Sequence, residues 1–328
     1  MLSRRQTLLA GAGLAAASRF RSAAAAPVRT LRMGFIYSTN SQLGAGIAAM
    51  AAEVEKRTDG RIRIQPVPDS ALGGDVEMLK GIQLGSIDLA FITGVGLASI
   101  VPESDVFHIP FLFTNAAHAH AVLDGAVGQE IMQRVAAHDL VPLAWGENGM
   151  RHMTNSRHPI TVPEDVKGLK IRVPQSEVMM QGLQALGAQV QMLAFPLLFE
   201  ALQSGQFDGE ENPIATIISS RFDKVQKFLT LTAHIYDPAI IVMSPDSFDE
   251  LSAADRTVFT EAAKLGAAAS RRFAAAAEQS GIGTLKQAGM QVVPEIDRAR
   301  FVAAMAPAMP GYQKRFGNDL IDRIRRIA

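Results

Sequence analysis

"FLTLTAHIYDPAIIVMSP", residues 228–245, is a long apolar β segment and reads as a strand crossing between two lobes. The chain has room for them, since 328 residues exceed one ordinary core and suit two lobes of usual size. Outward from this segment, strand-like and helix-like stretches alternate. "LRMGFIY" (31–37) is an apolar-rich strand and "SQLGAGIAAMAAEVEKRT" (41–58) a helix stopped by Gly60. "RIRIQPV" (61–67) alternates at period two. A helix at "DVEMLKGIQLG" (75–85) leads into "IDLAFIT" (87–93), an apolar run of the kind buried between layers. Such β-α-β succession predicts parallel strands with crossover helices.

Further along, the spacing predicts one helix over 116–137, a strand at "LVPLAWG" (140–146) and a restart near Arg151 with a strand at "RHMTNS" (151–156). Pro163 opens a single helical turn before the strand in "GLKIRVPQS" (168–176). A helix (176–187), a strand (188–195) and a helix opened by Pro196 follow. "SAAD" (252–255) has the form of a capping box and starts an Ala-rich helical region running to about Ala288. A short strand, "MQVVP" (290–294), and amphipathic helices complete the chain. No Pro/Ser-rich linker occurs after residue 26, so strands and a helix must join the lobes.

With 48% hydrophobic, 20% charged and 6% aromatic residues, the composition suits a soluble globular α/β protein. Formal charge is zero, but Arg4, Arg5, Arg19 and Arg21 all lie in the first 26 residues, which hold no acid. The remainder carries 28 basic and 32 acidic residues, a formal −4. That balance excludes the basic footprint of a nucleic-acid binder. An arginine pair, an apolar run from Leu8 to Ala17 and the small-residue tract Ala23–Ala26 together read as a cleavable export signal over 1–26. The apolar run is too short to span a ~30 Å hydrocarbon core. Ser-Arg-Arg resembles a twin-arginine signal; Thr7 and Leu9 depart from the usual pattern, so the general secretory route stays open. Either route predicts a periplasmic protein. With no cysteine, disulfides, thiol catalysis and a lipidated N-terminal cysteine are excluded, and the cores alone must hold the fold.

Candidate chemistry is sparse. His118 and His120 are two apart, so on a helix they face different sides and make no i, i+4 metal pair. "DGEEN" (208–212) is too short for a calcium loop, and no nucleophile-elbow or Walker-type motif occurs. No metal and no cofactor is expected. The strand at 168–174 is more informative: Leu169, Ile171 and Val173 point one way, Lys170 and Arg172 the other, until Pro174 ends the ladder. On spacing alone, Arg172 is a solvated charge on the wet face.

The order and spacing of "GLKIRVPQS", "LGAQVQMLAF", "ALQSGQFDGEENP" and "VQKFLTLTAHIY" alter that reading, together with "DSALGGDVEMLKGIQLG", "GSIDLAF", "FHIPFLF" and "GMRHMTNS" upstream. Across essentially the whole chain after residue 26, they resemble the dicarboxylate-binding (DctP-like) extracytoplasmic solute-binding proteins of tripartite ATP-independent periplasmic (TRAP) transporters. The resemblance implies an α/β, two-lobed clamp of the periplasmic-binding-protein type. Each lobe is a mixed, mostly parallel sheet flanked by helices, and a long helix links them. Lobe I is expected over 27–148 and 238–277, lobe II over 149–237 and 278–328. The implied function is capture of a small organic acid, such as a C4-dicarboxylate, sugar acid or hydroxy acid, by hinge closure, and its delivery to the membrane subunits of the transporter. A monomer is expected, and no enzyme; a ligand-sensing adaptor or a periplasmic enzyme on the same scaffold is the alternative.

Carried over by position, Arg172 is the main carboxylate clamp, Arg151 a second cationic contact, Asn212 a donor to the same carboxylate and Phe195 a packing surface. The pattern departs at Glu210, where glutamine is usual, and in "PLLFEAL", where an acid and a tyrosine are commoner. Strand-end positions Thr39, Gln42 and Thr93, with Glu147, Asn148 and Tyr236, are candidates for contacts to the ligand's far end. An arginine suits this task because its planar fork matches a carboxylate with two parallel N–H···O bonds.

Overall fold

A computed structural model describes residues 27–327; the expected export signal lies outside the described residues. Nine strands are present among these: β1 (Arg29–Gly34), β2 (Ile62–Val67), β3 (Leu89–Thr93), β4 (Val141–Asn155), β5 (Lys170–Val173), β6 (Gln189–Met192), β7 (Gly209–Pro213), β8 (Phe228–Met243) and β9 (Gln291–Val293). They join in the order β2-β1-β3-β8-β4-β7-β5-β6, with β9 against β8. The flanks are parallel, β1 with β2 and β3, β5 with β6 and β7, as the β-α-β succession predicts.

The middle of the sheet is an antiparallel pair, β4 and β8, of 15 and 16 residues. β8 pairs β9 with its first residues, Phe228–Thr230, and β3 with its last, Ala239–Met243. β4 pairs β7 only over Arg151–Asn155. Each long strand therefore serves one half of the sheet with one end and the other half with the other. The reading of 228–245 as a crossing strand holds.

Two expectations need correction, and one strand lies where the sequence predicts none. The strands expected at 140–146 and 151–156 are one strand, β4, whose register against β8 shifts at Pro142/Ala144, Glu147/Gly149 and Arg151/Met153. Asn148-Gly149 looks like a turn, but Gly149 instead absorbs a bulge at φ 136°, a conformation glycine adopts without steric cost. The helix expected over 116–137 breaks at Gly125 into Ala116–Asp124 and Ala126–Ala136. And "GEENP", too polar to look like a strand, is β7, buried at all five positions.

Ser252 caps its helix as the sequence predicts, accepting from Asp255 N at 3.1 Å, and Ser41 does the same for Gly44 N at 3.1 Å. The second helix, Ala253–Gln287, is 35 residues long and packs along Gln42–Arg57 in one half and Ile214–Ser219 in the other. It is the linking helix the resemblance implies. Among the described residues, no helix is long and apolar enough to cross a membrane.

Candidate functional site

The inner ends of the strands converge on a cavity between the two halves. Its walls come from the loop after β1 (Tyr37), the start of the helix Asp75–Gln83, the end of β3 (Thr93), the bulge of β4 (Asn148, Arg151), β5 (Arg172), Phe195 and β7 (Asn212). Gly96 lets two of these walls meet, since a Cβ there would lie 2.2 Å from Asp75 Cβ.

Arg172 is 1% exposed although it stands on the polar side of its strand. Its Nε and Nη2 both donate to the Leu193 carbonyl, at 2.9 and 2.6 Å, while the buried Nη1 has no partner. Burial, then the nearby Arg151 cation, draws its pKa down to about 10. It stays protonated at neutral pH, so a desolvated cation faces the cavity with donor capacity unused. Leaving such a group unpaired is costly, and a carboxylate is the ligand that removes the cost.

Arg151, 2% exposed, is the opposite case. Its Nε and Nη2 grip Glu211 in a fork at 2.6 and 2.9 Å, and Nη1 donates to Asp237 at 3.0 Å. Asp237 also accepts from Asn148 Nδ2 at 2.7 Å and faces His108 Nε2 at 3.1 Å. Burial works to raise the Asp237 carboxyl, but the His108 bond and charge, with Arg151, hold it below its usual range. Burial likewise opposes charge on His108; the bonds to Asp105 and Asp237 outweigh it and push that imidazole up to about 9. Arg151 therefore lines the cavity with its charge already matched by the protein.

The opposite wall is acidic. Asp75 Oδ2 accepts from the Thr93 hydroxyl at 2.6 Å, while its buried Oδ1 has no partner. Burial lifts this carboxyl to about 7, against the Thr93 bond and with help from Asp237. Glu77 stands on the same wall. Such acids accept hydroxyls and repel a second carboxylate. Phe195, half-buried, sets its ring edge-on to Tyr37 at 4.8 Å between centroids, closing one side with an apolar surface.

Of the residues singled out in the sequence, Arg172, Arg151, Asn212, Phe195, Thr93 and Asn148 line this cavity together. Gln42 lies behind Asn148, donating to its carbonyl and Oδ1 at 3.0 and 2.6 Å. Three others lie apart from the lining. Thr39 is exposed, Glu147 is bonded to His120, and Tyr236 packs between Phe113 and His120. The sequence reasoning missed Tyr37, Asp75, Gln175 and Asp237. One signal was there to use: Asp237 is the lone acid inside an 18-residue apolar run, where burial without a task is expensive.

Residues 33–315 match the family model described as bacterial extracellular solute-binding protein, family 7 (DctP). The chain belongs to that family. A solute-binding protein of Verminephrobacter eiseniae is 42% identical over 303 residues, covering 92% of this chain and 90% of its own. A TRAP periplasmic solute-binding protein from Polaromonas sp. JS666, bound to D-erythronate, superposes with a TM-score of 0.89 at 43% identity, over 91% of this chain and 99% of its own. Its counterpart from Bordetella bronchiseptica, with density assigned to pantoate, superposes with a TM-score of 0.89 at 40% identity, over 92% and 99%. This family member is thus a two-lobed α/β clamp of the TRAP solute-binding kind, built to hold small organic acids.

Proposed function

We propose that this TRAP solute-binding protein works in the periplasm and captures a short hydroxy monocarboxylate, with the acid group on Arg172 and the hydroxyls toward Asp75. The observation that carries this reading is the buried, unpartnered Nη1 of Arg172. A single cation is left open, because Arg151 is consumed by Glu211 and Asp237. The wall across from it holds Asp75 and Glu77, which favours a polyol tail over a second carboxylate. D-erythronate and pantoate, the ligands named for the two similar structures, share this plan: one carboxylate and hydroxyls on a four-carbon chain. Asn212 and Phe195 complete the acid end and Thr93 the far end, while Arg151 and Asn148 hold the frame.

Closure is a population shift. The ligand touches both halves only when they approach, and the bend falls where β4 and β8 cross, about Gly149 and Asp237. We take residues 27–148 with 238–277 as lobe I and 149–237 with 278–328 as lobe II. The loaded monomer then docks on the transporter's membrane subunits. Calorimetry against D-erythronate, pantoate, succinate and D-glucuronate tests the reading. The two hydroxy monocarboxylates are expected to bind tightest; no binding by any of the four acids overturns it.

A further inference from the structure

One buried acid stands a layer behind the cavity. Glu210, on β7, does not line it, yet its Oε2 accepts from Nδ2 of Asn212, which does. Its Oε1 lies 2.5 Å from the Thr154 hydroxyl, and that same hydroxyl lies 3.1 Å from Gln226 Oε1. Gln226 cannot supply the missing proton, because its Nε2 donates to the Val225 carbonyl at 2.8 Å and this fixes the amide's orientation. One hydroxyl proton thus faces two acceptors. A proton on Glu210 resolves the conflict: Glu210 donates to Thr154, Thr154 donates to Gln226, and Oε2 still accepts from Asn212. Neutral Glu210 then presents one donor and one acceptor, as a glutamine would.

We propose that Glu210 is a positioning residue that is protonated when the ligand is bound, so that this protein takes up its organic anion together with a proton. The inference rests on the carboxylate reading of Arg172. The charged groups bearing on Glu210 are Glu211 on its own strand, Arg151 on β4 and Arg172 on β5. Arg151 is matched by Glu211 and Asp237. Arg172 is not. In the empty cleft its charge favours an ionised Glu210; a ligand carboxylate cancels that charge and adds its own. Burial already lifts the Glu210 carboxyl to about 7, against its bonds to Thr154 and Asn212. Filling the cleft raises it further, so affinity is level below that pH and weakens above it, by up to tenfold per pH unit.

Two measurements test this. Calorimetry with D-erythronate between pH 6 and 9, in buffers of different ionisation enthalpy, is expected to show up to one proton taken up near pH 8 and weakening affinity above pH 7. Glu210→Gln is expected to keep the low-pH affinity and to lose the part of the proton uptake and slope that Asp75→Asn leaves in place, Asp75 being the other carboxyl lifted to about 7 at the cavity. Carbon NMR of glutamate carboxyls in the ligand-free protein is expected to show a resonance titrating near neutrality that Glu210→Gln removes. Wild-type affinity constant from pH 6 to 9, a slope as steep in Glu210→Gln as in the wild type, or no glutamate titrating above pH 6 would each overturn the proposal. Should none of the four acids bind at any pH, the ligand reading fails, and the NMR titration still decides whether Glu210 holds its proton.

Discussion

Replacing Arg172 with methionine separates binding from stability. In most proteins, losing a buried arginine is destabilising because an acid partner is stranded. Here no acid loses an ion pair, since the guanidinium hydrogen-bonds only to the Leu193 carbonyl. Holding the charge in this site draws its pKa well below the usual arginine value, to about 10, a penalty of roughly 3 kcal/mol on the folded state at neutral pH. The substitution removes that penalty and forfeits the bonds to Leu193 O, which cost about 1–2 kcal/mol when a buried carbonyl is orphaned. The ligand-free variant is therefore expected to melt at or slightly above the wild-type temperature. Binding goes the other way, because a desolvated carboxylate without its partner loses about 2–5 kcal/mol, roughly 30- to several-thousand-fold in Kd. Thermal melts without ligand and calorimetry with D-erythronate read the two effects. A ligand-free variant less stable by more than about 2 kcal/mol, or an affinity within threefold of wild type, would refute the reasoning.

Arg151→Met should behave oppositely: Glu211 and Asp237 are left buried and unpaired, so stability falls by about 3–5 kcal/mol, visible as a lower denaturation midpoint without ligand. Asp75→Asn should fold normally and narrow the preference for D-erythronate over butyrate about tenfold or more, because the buried Oδ1 that awaits a hydroxyl is altered; competition calorimetry reads it. His108 gives a stability slope. Its folded pKa, about 9, lies above the unfolded value, so its contribution is full below pH 6.5 and is lost as pH rises through 9. Asp75 and Glu210, whose carboxyls burial lifts to about 7, act in the same sense over a lower range: folding favours their protonated forms, so stability falls as pH rises from about 4 to 7 and is level above that. A melting temperature that falls from pH 7.5 to 9.5 in wild type but not in His108→Gln is the expected result, and equal slopes would contradict it.

Periodicity and turn chemistry determined most of the elements: parallel flanks, the helix at 41–58, the capped helix at Ser252, and the crossing strand at 228–243. These follow from local rules, because side-chain alternation and caps act within a few residues. The order of motifs around Arg172 and Asn212 was enough to indicate the family and the acid-binding task. Only the tertiary structure decided what each charge does. Arg151 and Arg172 look alike in sequence, yet one is neutralised by Glu211, 60 residues away, and by Asp237, while the other is left open. β7 and the continuity of β4 were hidden because polar residues become strand-like only when distant partners satisfy them. Electrostatic pairing across the sheet depends on which strands lie side by side, and no local pattern encodes that.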